Sequence, residues 1–197
     1  YSNYLYGDYV TAEANLKYFT DVYPASPFTA QAKYLRIICL YNSTYRYELD
    51  QQPTYTAMDE IARFLIENPG NEHYDECMAM LDELNARLDL KAFEAAKLYY
   101  VMEDYVASRT AFRNILKDDA ETIYREDILY YIAMSSYEYA FNSIAARQRE
   151  RYLTFVDDYY NFVSEYPESG YRKELDNCYS KAQKYLARHK GKALNGE

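Results

Sequence analysis

Tryptophan is absent from the 197 residues, and glycine and proline number only five each. So few breakers exclude a sheet of many short strands, each of which needs turn residues to end it, and favour long helices. Histidine, the commonest general base, occurs only as His73 and His189. His73 follows Pro69-Gly70-Asn71-Glu72 at the start of a predicted helix, and His189 closes another, where a cation suits the helix dipole; both read as surface-structural. The three cysteines, Cys39, Cys77 and Cys178, are odd in number and lack metal-ligand spacing. Inside helical patterns such thiols act as small apolar residues. The acidic pairs Asp118-Asp119 and Asp157-Asp158 are consecutive, and successive helical residues do not converge on one metal. No EF-hand loop, glycine-rich phosphate loop or HExxH motif is present. No catalytic residue, metal site or cofactor is expected.

Positive charge is also in short supply, the formal net charge being -9. That balance argues against nucleic acid, which demands a basic stripe to displace counterions. One locally basic stretch, Arg147 to Arg151, is interrupted by Gln148 and Glu150 and reads as a solvated helix face, with Lys190 and Lys192 far off at the tail. No apolar run reaches the roughly 18 to 20 residues that cross a bilayer. Only six residues precede Gly7, fewer than the first helix of its hairpin needs. The expectation is an N-terminal part, with one or more repeats and any export signal, outside this chain.

What the sequence does have is 27 tyrosines and a 49% hydrophobic content, enough for a continuous core. A tyrosine brings a large apolar body and a hydroxyl that wants a partner, which suits the seams between helices and the walls of grooves. A cassette also recurs. Gly7-Asp8-Tyr9-Val10 followed by Ala12, Leu16, Phe19 and Pro24 is echoed by Glu103-Asp104-Tyr105-Val106 followed by Ser108, Phe112 and Ile115. Ala57, Ile61, Phe64 and Pro69 repeat its second half, and Phe155, Tyr159, Phe162 and Pro167 repeat it more weakly. This is the pattern of helical-hairpin repeats, whose stacked faces usually bind other proteins.

In each copy a small residue, Ala12, Ala57 or Ser108, is expected where two helices cross, and the prolines end the second helix. Gly7 supplies the positive φ of the first turn; Glu103 lacks that freedom, so a less regular turn is expected there. Spacing between copies exceeds a strict period, with Asn42 to Pro53 and Asn142 to Arg151 absorbing the excess, the latter by prolonging a helix. Residues 1–197 thus read as a single all-α domain, about four hairpins plus a terminal helix from Arg172 to Arg188, in a right-handed superhelical solenoid. If Ala92, Ala95 and Ala96 form the packing seam of their helix, Leu90, Phe93, Lys97 and Tyr100 project into the concave groove, joined by Tyr137 one repeat later. Leu90 and Phe93 are equally compatible with packing on the neighbouring repeat.

The runs Gly7-Asp8-Tyr9 through Tyr23-Pro24-Ala25-Ser26-Pro27-Phe28, Thr54-Tyr55-Thr56-Ala57-Met58 to Asn68-Pro69, and Ala95-Ala96-Lys97-Leu98-Tyr99-Tyr100 resemble the BamD family of outer-membrane assembly lipoproteins. Tyr159-Tyr160-Asn161-Phe162 to Tyr166-Pro167-Glu168-Ser169 is similar to the same family, especially versions from Bacteroidetes-type bacteria. The resemblance implies a tetratricopeptide-like fold and a non-enzymatic scaffold on the periplasmic face of the outer membrane. Its implied partners are a BamA-like barrel protein, met through periplasmic POTRA domains, other subunits of that machinery, and unfolded outer-membrane proteins as clients. Membrane association would come from an N-terminal lipid not in this chain, since Tyr1 replaces any lipobox cysteine here. Other tetratricopeptide adaptors share the same physical features, and SusD-type lipoproteins combine helical repeats with many aromatics.

Overall fold

The computed structural model describes residues 1–189, and Lys190 and Lys192 lie outside them. The described residues form helices joined by turns, as expected of an all-α chain: α1 Ser2–Leu5, α2 Tyr9–Val22, α3 Thr29–Asn42, α4 Gln52–Glu67, α5 Tyr74–Val101, α6 Tyr105–Asp118, α7 Arg125–Phe141, α8 Ala145–Glu165 and α9 Arg172–Arg188. They fall into two compact units, Tyr1–Lys91 and Ala92–Glu197, with α5 contributing its first part to one and its last turns to the other.

The cassette is legible as repeated backbone chemistry. Tyr23, Asn68 and Tyr166, each just before a proline, end α2, α4 and α8 with nearly the same φ and ψ, and their N–H groups donate back to Phe19, Phe64 and Phe162. Proline disfavours the helical region for the residue before it, which explains the shared geometry. At the start of the next helix the side chains of Ser26, Asn71, Thr122 and Ser169 each accept from the amide two residues on. The carbonyls of the same four accept from the following amide, closing a turn that launches α3, α5, α7 and α9.

From those turns, fixed spacing delivers the core. Ala32, Cys77, Ile128 and Leu175 are all buried, and so, further along each helix, are Cys39, Leu84, Ser135 and Ala182. In the first unit Ile37, Ala57, Ile61, Phe64, Cys77 and Leu84 form one cluster. In the second, α7 is enclosed by α6, α8 and α9 and is buried on nearly every side. Its two buried serines are satisfied, Ser135 by Ser108 at 3.2 Å and Ser136 by Asp158 at 2.6 Å. The three thiols are buried and free, and burial pushes those of Cys77 and Cys178 up to about 11, so they serve as apolar filler.

Tyrosines do the joining in both units. The Tyr34 hydroxyl donates to Glu76 at 2.6 Å while its ring stacks on His73, 3.6 Å between centroids. At equivalent repeat positions Tyr130 donates to Glu174 at 2.9 Å and stacks on Tyr171 at 4.1 Å. Each phenol thus packs its ring between helices and pairs its hydroxyl with a carboxylate two helices on, α3 with α5 and α7 with α9.

Two expectations about turns are corrected. The turn at Glu103 is as regular as that at Gly7: φ is 62° at Glu103 and 76° at Gly7. Gly7 and Asp8 amides bond to Tyr4 and Asn3, as Glu103 and Asp104 amides bond to Tyr100 and Tyr99. Asp8 and Asp104 then cap α2 and α6 through Thr11 and Ala107. The cap and the packing of the flanking helices hold Glu103 in the left-handed region despite its Cβ. The segment from Asn142, expected to prolong a helix, first breaks at 142–144 and only from Ala145 lengthens α8.

Candidate partner-binding site

On the last turns of α5 the buried face is Phe93 and Ala96, with Tyr100 partly buried beside them, while Ala92 and Ala95 are exposed. The seam is therefore rotated from the alanine face read in the sequence, because Phe93 and Tyr100 share the stripe of Ala96 and carry far more apolar area. Phe93 stacks on Tyr124 at 4.8 Å and meets Phe112 and Tyr131. Tyr100 packs edge-on against Tyr105 and Tyr131. Burial, with Glu138 nearby, pushes the Tyr100 phenol far above its ordinary range. Tyr137 is interior, with Phe155 edge-on at 5.2 Å, and burial raises its phenol to about 12. The projection of Phe93 and Tyr137 into an open groove is thus corrected: both are side chains of the unit's core. Leu90 is partly exposed and belongs to the other unit.

Lys97 stays at the margin of that stripe. Its ammonium lies 5.7 Å from the Phe93 ring centroid and 3.1 Å from Glu94, contacts that hold it outside the core, and the hydrogen bond to Glu94 raises its pKa. Beside it Leu98, Val101, Met102 and Val106 are each at least half exposed, an apolar ridge on the α5–α6 turn. Leu5, Tyr6 and Val10 expose a matching ridge on the α1–α2 turn. The sequence reading passed over both because it sought contacts on helix faces, whereas these sit at the hairpin tips.

A second feature of this unit is a cleft of about 240 Å³ lined by Arg109, Ser136, Tyr139, Arg147, Glu150, Arg151 and Thr154. Behind Arg109 and Ser136, outside the lining, the buried carboxylate of Asp158 accepts from Arg109 at 3.0 Å, from Arg113 at 2.9 Å and from Ser136. In the lining the Arg151 guanidinium lies 3.8 Å from the Tyr139 ring centroid and donates to Ser143, whose hydroxyl donates to the Tyr139 carbonyl. Arg147 pairs loosely with Glu150 at 3.4 Å, both largely exposed. The stretch read as a solvated face therefore turns two of its arginines toward a pocket, since positions four apart share a helix side. Arg109, distant in sequence, completes the cleft, which is why the local pattern gave no signal.

Among the described residues no group of three or more histidine, cysteine or carboxylate side chains could hold a metal, and no helix is long and apolar enough to cross a membrane. Comparison with family models matches residues 1–151 to YfiO, outer membrane lipoprotein. The chain belongs to the YfiO family. The YfiO match spans Leu90, Phe93, Lys97, Tyr100 and Tyr137, and also Arg109, Arg147 and Arg151, while Asp158 and α9 lie beyond it. It is the family, BamD-like, whose motifs the sequence resembles, and it places the chain among outer membrane lipoproteins. No curated protein matches the sequence.

Proposed function

We propose that this protein is a non-enzymatic scaffold subunit of the outer-membrane β-barrel assembly machinery, the BAM complex. In this reading it docks on the periplasmic POTRA domains of a BamA-like barrel protein and assists folding and insertion of outer-membrane proteins. The observation that carries it is the YfiO match over residues 1–151, on a chain built of repeated helical hairpins. Lipid anchorage at the periplasmic face, further subunits and unfolded clients belong to the same reading, as does a Bacteroidetes-type version of the family.

Within it, the partner meets the α5–α6 turn of the second unit. Lys97 and Tyr100 border that surface, and Leu98, Val101 and Met102 supply its apolar centre. Leu90, in the first unit, is a separate candidate contact, and Phe93 and Tyr137 support the second unit's surface from within its core rather than touching the partner. Exposed apolar side chains rimmed by charge are the usual composition of such contacts. The deciding experiment is affinity co-purification of the full-length protein from detergent-solubilised envelopes, with mass spectrometry of what is retained. A stoichiometric BamA-like barrel protein is the expected result; a secretion, peptidoglycan or cytosolic partner in its place overturns the assignment.

A further inference from the structure

The arginine cleft of the second unit carries an excess of positive charge in a chain whose net charge is -9. Three arginines and one carboxylate line it, and Glu150, the one carboxylate, is mostly exposed. Arg151 has no carboxylate partner among the described residues. Its guanidinium is nevertheless fixed, by the Tyr139 ring beneath it and the Ser143 hydroxyl at one nitrogen, so its remaining donors are pre-oriented. Helix α8 starts beside it with no side-chain cap and no acidic residue in its first turn, leaving the positive end of its dipole uncompensated. A planar, pre-organised fork next to a second arginine matches an oxyanion.

The surroundings select among anions. Phe141 and Ile144, 58% and 72% exposed, lie on the turn that also carries Ser143. Inorganic phosphate would leave them unused. An anionic bilayer would be repelled by the charge of the whole chain. A polypeptide with a carboxylate beside apolar side chains satisfies both features. We propose that the cleft between α6, α7 and α8 binds an acidic segment of a protein partner, one carboxylate seated against Arg147 and Arg151 and its apolar neighbours on Phe141 and Ile144. The inference rests on the scaffold reading above for the nature of its ligand, a protein.

The test is selection of peptides from a random phage-displayed library on the full chain and on its Arg147→Gln/Arg151→Gln double variant, with a melting curve to verify folding. Selected peptides are expected to share an Asp or Glu next to large apolar residues. As synthetic peptides they are expected to bind the double variant at least about tenfold more weakly, the size of a lost charge-assisted hydrogen bond. Arg151→Lys is expected to recover part of the loss, because charge returns without the stacked fork. Peptides without acidic residues, peptides bound equally by both proteins, or no enrichment at all overturn the inference. So does displacement of the selected peptides by millimolar inorganic phosphate with no dependence on Phe141 and Ile144, which marks a plain anion site. If the barrel protein co-purifies but no acidic peptide is selected, the cleft inference alone fails. If acidic peptides are selected and no barrel protein co-purifies, the assembly reading fails and the cleft stands.

Discussion

Both units tie neighbouring helices together with a charge cluster, partly buried in the first and centred on a buried residue in the second, and they do so with opposite signs. In the first, Arg36 of α3 is held between Glu13 of α2 and Glu60 of α4, at 2.6 and 2.8 Å. In the second, Asp158 of α8 is held between Arg109 and Arg113 of α6. The repeat register pairs Glu13 with Arg109 and Glu60 with Asp158, while Ile132 stands where the first unit has Arg36. Once that central arginine is gone, two carboxylates facing each other would repel, and reversing one of them restores the bridge directly across α7. The consequence lies at the surface. The first unit's cleft, about 230 Å³, is lined by Lys33, Arg36 and Arg63 against Asp21, Glu60 and Glu67 and neutralises itself. The second is left basic.

The two centres differ in depth, and that difference predicts their energetic weight. Asp158 has 3% of its side chain exposed, against 15% for Arg36. Removing one partner of a buried pair strands the others, at a cost of about 3 kcal/mol. Asp158→Ala is expected to show a loss of this size in urea denaturation, since it frees two guanidiniums and the Ser136 hydroxyl together. Arg36→Leu is expected to cost less, about 1 to 2 kcal/mol, because Arg36 is itself the shallower centre and Glu60 keeps a second partner in Arg63 at 3.2 Å. Equal losses at the two positions would mean that depth does not govern the clusters, and that the sign reversal has no energetic asymmetry.

Neither cluster was legible in the sequence, for a reason that the residues make plain. Asp157-Asp158 looked like a pair on a helix face because its partners, Arg109 and Arg113, come from a helix far away in the chain. The hairpin grammar, by contrast, is local: prolines, turn hydroxyls and small residues announce themselves within a few positions, so the helical fold and the α9 bounds, Arg172–Arg188, could be read directly. The buried face of α5 departs from the alanine seam that the sequence suggests because Phe93 and Tyr100 bury far more apolar area than the alanines. The cleft and the exposed ridges are products of three helices or of turn tips, and no single-helix pattern contains them.

The turns offer a smaller contrast with the same design. Gly7 and Glu103 occupy one position and one backbone state, φ 76° and 62°, yet only glycine is at ease there. Glu103→Gly is expected to stabilise the protein by about 1 kcal/mol, and Gly7→Ala to destabilise it by a similar amount, since no atom lies near an added Cβ and the backbone conformation alone is at issue. Thermal melts of the two variants check this. A destabilised Glu103→Gly would show that the glutamate side chain contributes more than its backbone strain costs.

Glu103 has a further effect, on Glu138. Burial first, and then the negative charge of Glu103, raise the Glu138 carboxyl above its ordinary range, with Lys181 pulling the other way. A carboxyl whose folded pKa is raised favours the protonated fold. Its contribution is therefore intact below the ordinary carboxylate value and is lost as pH rises through the folded value. Most carboxylates in ion pairs run the opposite way, as Asp176 does: the hydroxyl of Tyr159 and the guanidinium of Arg172 lower its pKa, so its contribution disappears on acidification. Glu138→Gln is expected to remove the loss that sets in as pH rises above the ordinary carboxylate range, flattening that part of the stability curve relative to the parent, while leaving the acid limb set by groups such as Asp176 unchanged. The effect is the smallest of those predicted here, and denaturant midpoints taken across that range measure it. Glu103→Gln should recover only a fraction, because burial, the larger cause, stays in place. A full recovery would reverse the order of the two causes, making charge rather than desolvation the dominant influence on Glu138.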